Sequence, residues 1–444
     1  MKFKIRTICA ALTLAFSTSA VQADDLLQIY QQALTSDPIA LQAQAQRDAL
    51  YEQIEEHRAS LLPTISASVG YGKSWVNYES PIADTDSNGL SAGLSLNQVI
   101  YDHSAWVGLS LAELAASQAD AAYASSLQTL IIRVTSAYFA VLSAKDTFEF
   151  QGSEKHAIER QLEQTKQRFA VGLTAITDVH EAQAQYDLAR AQEILAENQL
   201  INSYEALREI TGIDHKTINV LDTERFSAVT PSPALSNDWL KIAETNSVDL
   251  LTMRIGKDIA KETISLYKAG HMPSLSLDAS YTTNIQQENN TNDAYDYDNS
   301  SIGLTLSVPI FEGFKVSSQV TQAQYQYVEA SEKMEQTYRK VVKDIRNNFN
   351  NVGASISSIH AYEQSVISSE SALKATQAGF EVGTRTIVDV LNRTRDLYDS
   401  KRQLSDARYG YINSILALKQ AAGTLNEDDV IAINHGLTAQ TTTQ

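Results

Sequence analysis

The sequence is written twice. The string FAVGLTAITDV at residues 169–179 returns as FEVGTRTIVDV at 380–390, 211 positions later. Weaker echoes run at nearly the same offset. Pro63 pairs with Pro273, Leu94, Ser95 and Leu96 with Leu304, Thr305 and Leu306, and Phe139 with Phe349. Asn202 and Ser203 pair with Asn413 and Ser414, and Gly212 with Gly423. Solenoid repeats run about 20–50 residues, so a period near 210 is too long for one. It marks a single duplicated unit, and such a chain must fold with internal pseudo-symmetry.

Proline placement says where that unit is helical. All seven prolines lie at 38, 63, 81, 231, 233, 273 and 309, leaving 82–230 and 310–444 uninterrupted. Both stretches are rich in Ala, Gln, Glu, Ser, Leu and Lys, which favour helix. The pattern predicts a helix over 103–168, a turn at Gly172 and a second helix over 176–211. The second half predicts 314–380, a turn at Gly383 and 386–422. At 1.5 Å per residue the longest helices reach about 90–100 Å, more than a globular domain needs. Val320, Ala323, Tyr327, Ala330, Met334, Tyr338, Val341, Ile345, Phe349, Val352, Ile356 and Ile359 follow steps of three and four, a coiled-coil seam.

Four strand signals lie between the helices, as hairpins at 63–101 and 273–311. Ile65, Ala67, Val69 and Tyr71 alternate with small or polar residues, as do Leu90, Ala92, Leu94 and Leu96. Leu275, Leu277, Ala279 and Tyr281 repeat the pattern, followed by Ile302, Leu304, Leu306 and Val308. One apolar and one polar face is the alternation of an outer-membrane barrel. Tyr71, Trp75, Tyr78 and Tyr281 are candidates for an interfacial aromatic girdle, and the hairpin loops near 76–88 and 284–300 are polar and acidic. A soluble half-buried sheet alternates in the same way. The export leader, the four-fold recurrence and the lack of other core material favour the membrane. Four strands cannot close a barrel, because single-chain barrels start at eight. The chain must therefore oligomerise, and three copies with twelve strands leave a wider lumen than two.

Residues 1–23 read as a signal peptide: Lys2, Lys4 and Arg6, then a short apolar run, then Val21, Gln22 and Ala23 before Asp24. The single cysteine, Cys9, lies inside it, so no disulfide, thiolate metal site or cysteine nucleophile is expected in the mature chain. Loss of the three leader cations takes the formal charge from −18 to −21, which disfavours nucleic acid. After the leader no run of about 18 apolar residues stands out, so membrane entry is expected through strands of a closed barrel. The string VGYG at 69–72 lacks the flanking membrane helices of a potassium filter, and GKS at 72–74 lacks the rest of a phosphate loop. The eight histidines are scattered without metal-ligand spacing, and no nucleophile elbow is present. No cofactor, metal site or catalytic residue is expected.

The organisation expected is a first structural repeat over 24–226, a Pro- and Ser-containing linker over 227–237, and a second repeat over 238–423. Residues 424–444 read as a polar C-terminal tail with no assigned role. The fold class is an α+β membrane protein: four transmembrane β-strands and two long coiled-coil helical hairpins per chain.

QRFAVGLTAITDV at 167–179, GTRTIVDV at 383–390 and GASISSI at 353–359 resemble the TolC-type outer-membrane efflux channels, and the resemblance spans the mature chain to about residue 437. It implies a homotrimer in which a 12-stranded β-barrel continues into a periplasmic α-helical barrel. It also implies a periplasmic adaptor (membrane fusion) protein, an inner-membrane pump of RND, ABC or MFS type, and export of drugs, bile salts and, with suitable exporters, proteins. Carried over by motif, a tip latch closes the periplasmic entrance, joining Arg385 of the second repeat to Thr177 and Asp178 of the first. An arginine fork can bond a hydroxyl and a carboxylate together. The family's latch tyrosine is Phe380 here, which cannot donate and suggests a looser closed state. Asp389 matches the first acidic ring of the entrance, whereas the second ring position is Asn392, which keeps hydrogen bonding and loses charge. Val171, Gly172, Leu173 and Thr174, with Val382, Gly383 and Thr384, are the implied adaptor contacts. The rival readings are a periplasmic adaptor, which carries one helical hairpin rather than two, and a membrane-anchored structural stalk, which needs no latched tips.

Overall fold

A computed structural model describes residues 24–77, 85–286 and 296–438. The leader 1–23 with Cys9, Tyr78, most of both acidic loops and the last six residues lie outside the described residues. The elements in chain order are α1 (Leu26–Ser36), α2 (Pro38–Ala59), β1 (Thr64–Val76), β2 (Thr85–Tyr101), α3 (His103–Ala170), α4 (Ile176–Thr211) and β3 (Val220–Leu221). Then come α5 (Ser236–Asn246), α6 (Val248–Ala269), β4 (Ser274–Gln286), β5 (Asp296–Ser307), α7 (Lys315–Glu381), α8 (Ile387–Ala421), α9 (Glu427–Asn434) and β6 (Leu437–Thr438).

The four long strands form one antiparallel sheet in the order β1-β2-β4-β5. Register carries the sequence alternation across all of it. Ile65, Leu96, Ala279 and Ile302 are successive cross-strand partners, and so share a face. The neighbouring row on the other face is Ser66, Ser95, Ser280 and Ser301. Its hydroxyls pair at 2.6 Å between Ser66 and Ser95 and at 2.8 Å between Ser280 and Ser301. Asn97 Nδ2 donates to Asp278 Oδ1 at 2.7 Å on this same polar face. The apolar face is bare: Ile302 is 77% exposed. Among the described residues neither the outer edge of β1 nor that of β5 has a strand partner.

α3 and α7 are 68 and 67 residues long, about 100 Å each at 1.5 Å per residue. α4 runs back along α3, and α8 along α7. Every position of the three-and-four seam in α7 is buried or half-buried, with Ala323, Val341, Ile345, Val352 and Ile359 fully so. One 18-residue window of α3 reaches a mean hydropathy of 1.4, which sequence reading passed over. Half of it is buried against neighbouring helices, as expected of a packed core segment.

The main core lies midway between sheet and tips. Tyr138 and Phe139 of α3 are both buried there. The Phe139 ring stacks on Tyr409 with centroids 5.6 Å apart, and Tyr138 Oη donates to the Asn219 carbonyl at 2.7 Å. Asp37 caps α2 through the Ala40 N–H at 3.0 Å and meets the Arg133 guanidinium at 2.9 Å.

The stretch after 423, read as a polar tail without a role, is folded as far as Thr438. Leu425, Val430 and Leu437 are buried in the main core, and β6 pairs antiparallel with β3. Lys419 of α8 forms an ion pair with Asp429 of α9. The C-terminal segment therefore ties the end of the second repeat to the end of the first.

Candidate functional site

The candidate site is the pair of hairpin tips farthest along the chain from the sheet. Both turns use one backbone. Gly172 and Gly383 sit at φ 76° and 79°, in the left-handed region that glycine adopts without penalty. Leu173 N–H donates to the Arg168 carbonyl at 2.8 Å, and Thr384 N–H to the Gly379 carbonyl at 2.9 Å. Around these turns Val171, Leu173 and Val382 project as exposed apolar side chains, with Gly172, Gly383 and Thr384 also exposed and Thr174 half-buried. The seven residues expected to meet an adaptor thus form the outermost edge of the two tips.

The helices that follow the turns begin differently. α8 starts with a complete capping box. Asp389 N–H donates to Thr386 Oγ1 at 3.3 Å, while the Asp389 carboxylate accepts from Thr386 N–H and Oγ1, each at 2.9 Å. Those bonds hold the Asp389 carboxyl below the usual carboxylate range, the Thr386 N–H first and its hydroxyl second, with the Arg385 and Arg393 charges adding to them. Asn392, one turn on, accepts from Arg395 at 3.4 Å. The two expected ring positions therefore lie in one half-buried stripe of α8, and the single carboxylate, Asp389, already caps the helix. α4 starts at Ala175, which has no capping side chain; Asp178 instead accepts from Thr174 Oγ1.

Arg385 leaves the second tip with its stem folded against α7. A Cβ on Gly379 would lie 2.8 Å from Arg385 Cγ, so the absence of a side chain at 379 makes room for the arginine. Among the described residues no hydrogen bond or ion pair joins Arg385 to Thr177 or Asp178 within the chain. Thr177 is exposed and Asp178 half-buried. The three residues share the tip region without touching inside one chain.

Phe380 is placed differently from the sequence expectation of a position that merely lacks a donor. It is 8% exposed and packs with Ile158, Leu162, Ala182, Ala189, Ile387, Val390 and Leu391. The Arg168 guanidinium lies 4.8 Å from its ring centroid. Sequence reasoning missed both Arg168 and Gly379. They occupy equivalent positions at the 211 offset, and an arginine opposite a glycine was the available signal.

Higher in the coiled coil, Glu154 of α3 is buried against Asp399, Arg395 and Arg402 of α8. Burial pushes its carboxyl up to about 7, with Asp399 adding and the two arginines opposing.

Known proteins resemble this chain across both repeats. The outer membrane efflux protein family matches residues 29–213 and 239–424, one block per repeat. Outer membrane protein TolC of Vibrio cholerae is 49% identical, with 98% of each chain covered. The alkaline protease secretion protein AprF of Pseudomonas aeruginosa is 30% identical over 91% of this chain and 85% of its own. Among solved structures, the Campylobacter jejuni CmeC outer membrane channel superposes with a TM-score of 0.78 at 16% identity, covering 98% of this chain and 97% of that one. These relatives are named as channel and secretion proteins rather than enzymes. With its bare apolar sheet, its two long hairpins and a family match across both repeats, this chain belongs to the outer membrane efflux protein family.

Proposed function

We propose that three copies of this chain form the exit duct of tripartite efflux and secretion assemblies, a channel-tunnel whose periplasmic entrance rests closed at the hairpin tips. The observation that carries this reading is the four-stranded sheet with one apolar face and two unpaired edges. A free edge inside a bilayer leaves backbone groups without partners, so the sheet must close on other copies. Three copies make twelve strands around a lumen lined by the serine rows and the Asn97–Asp278 pair.

Among the described residues no bond joins Arg385 to Asp178 or Thr177 within the chain, so the latch proposed between them runs between copies. A neighbour's Arg385 would meet Asp178 and Thr177 as fork to carboxylate and hydroxyl. The exposed valines and leucine at the turns suit docking to a periplasmic adaptor, through which an inner-membrane pump of RND, ABC or MFS type would open the tips. Similarity to a protease secretion protein supports protein cargo alongside small toxic compounds. Asp389 from three copies would form a ring of negative charge that favours cations.

The test is native mass spectrometry of the detergent-solubilised protein, paired with planar-bilayer recording. The reading predicts a mass of three chains and small, steady, cation-selective currents. A two-chain mass, or a protein that inserts and never conducts, would contradict it and favour a structural stalk.

A further inference from the structure

We infer that Arg168 and Phe380 form an intra-chain clasp that holds the second hairpin against the first and thereby sets the resting conductance of the duct. The inference rests on the tip-closed reading above and adds two residues to its gate.

The clasp bridges the two repeats just before the tip turns. Phe380, in the last turn of α7, is the α7 member of a buried cluster otherwise drawn from α3, α4 and α8. Arg168, in the last turn of α3, lays its guanidinium 4.8 Å from that ring. Among the described residues no carboxylate pairs with Arg168, and its Nε is buried without a hydrogen-bond partner. The aromatic face is thus what orients this cation. The equivalent phenylalanine of the first repeat, Phe169, is 42% exposed and, among the described residues, takes no cation. The equivalent of Arg168 in the second repeat is Gly379. Among the described residues the contact has no counterpart in the other repeat, and it has a direction: a cation from the first hairpin, a ring from the second. A half-buried cation on an aromatic face is worth roughly a 2- to 30-fold bias in an equilibrium. That is enough to shift a gate without locking it.

The ring also changes what the missing hydroxyl at 380 means. Phe380 cannot donate a hydrogen bond, yet it is not an idle position. It lacks a tyrosine's donor and keeps the aromatic face, and that face holds the Arg168 cation.

The test is single-channel recording of the full-length protein in planar bilayers. Phe380→Leu keeps the apolar filling and removes the aromatic face; Arg168→Gln keeps the polar stem and removes the charge. Either change should raise the resting conductance, with the double variant no more open than the larger single. Arg168→Lys should fall between parent and Arg168→Gln. Native mass and thermal melting show that each variant still assembles, and Arg168→Gln, at the half-exposed end of α3, tests the clasp without disturbing the buried cluster. Conductance unchanged in both single variants would overturn the clasp. So would a double variant whose rise is the product of the two singles, because the residues would then act independently. A parent that never conducts removes the tip-closed reading and the clasp together. A conducting parent that responds to Phe380→Leu but not to Arg385→Ser removes the latch and leaves the clasp.

Discussion

The two hairpin tips share a backbone and differ in nearly every polar side chain. Residues 169–179 and 380–390 have the same turn, the same left-handed glycine and the same back-bonded second residue. At matched positions the first tip has Arg168, Thr174, Ala175 and Thr177 where the second has Gly379, Arg385, Thr386 and Val388. Asp178 and Asp389 are the one acidic residue kept in both, and their surroundings separate them. Asp389 is absorbed into the capping box of α8. Asp178 heads a helix with no capping side chain, and among the described residues its carboxylate is engaged only by Thr174. Duplication supplied one scaffold, and divergence left the arginine fork of Arg385 on the second tip and Thr177 beside Asp178 on the first. A ring of alternating tips from several copies could then close on itself, each donor facing a neighbour's acceptor.

The largest effect should come from removing the donor. If the proposed latch closes the tips, Arg385→Ser would delete charge-assisted bonds worth about 1.5–3 kcal/mol each, a tenfold or greater change in the closed-to-open ratio. The readout is single-channel conductance, which should rise well above the parent. Gly379→Ala should move in the same direction by less, because the new methyl would sit 2.8 Å from Arg385 Cγ and push the arginine from its place. The corresponding change in the first tip, Arg168→Ala, removes the clasp rather than the latch, so its effect should add to that of Arg385→Ser.

A pH experiment separates the halves above the tips. Glu154 has no acidic counterpart at the 211 offset, where the second repeat carries Ser365. The folded chain raises the Glu154 pKa from 4.5 to about 7, so the native state holds a proton that the unfolded state has released across that interval. Stability from this group is therefore present below about pH 4.5 and lost as pH rises through about 7. Glu154→Gln should flatten that part of the melting-temperature profile and raise the melting temperature at pH 8 relative to the parent.

The smallest effect should come from giving the first tip the second tip's cap. Ala175→Thr would let a hydroxyl bond Asp178 as Thr386 bonds Asp389. It should stabilise α4 by about 0.5–1 kcal/mol in thermal melting. The same change should compete for Asp178 and slightly increase resting conductance. A stabilised protein with lower conductance would break the acceptor–donor comparison.

Much of the architecture was legible in residue order. The strand alternation from Ile65 to Tyr71 and from Leu275 to Tyr281 reappears as one apolar sheet face, because period-two patterns need no distant information. The three-and-four seam of α7 was legible for the same reason. The C-terminal segment was not. Its run of Asn426, Glu427, Asp428 and Asp429 looks solvated, and only contact with a distant core shows that Leu425, Val430 and Leu437 are buried. A two-residue strand such as β6 carries no periodicity to detect. At the tips, Arg385, Thr177 and Asp178 came from motif resemblance, and the single chain does not join them. The Arg168–Phe380 contact depends on how two hairpins more than 200 residues apart lie together, which no local pattern encodes.

The most direct measurement is a cross-link between the two kinds of tip. Asp178→Cys and Arg385→Cys would be combined in a Cys9→Ser background, which leaves no other cysteine in the chain. Outer membranes would be oxidised and run on a non-reducing gel. If donor and acceptor tips meet between copies, covalent dimers and trimers should form, with a drop in export as the entrance is tied shut. Monomers alone, carrying an internal disulfide, would contradict it and return the latch to a single chain.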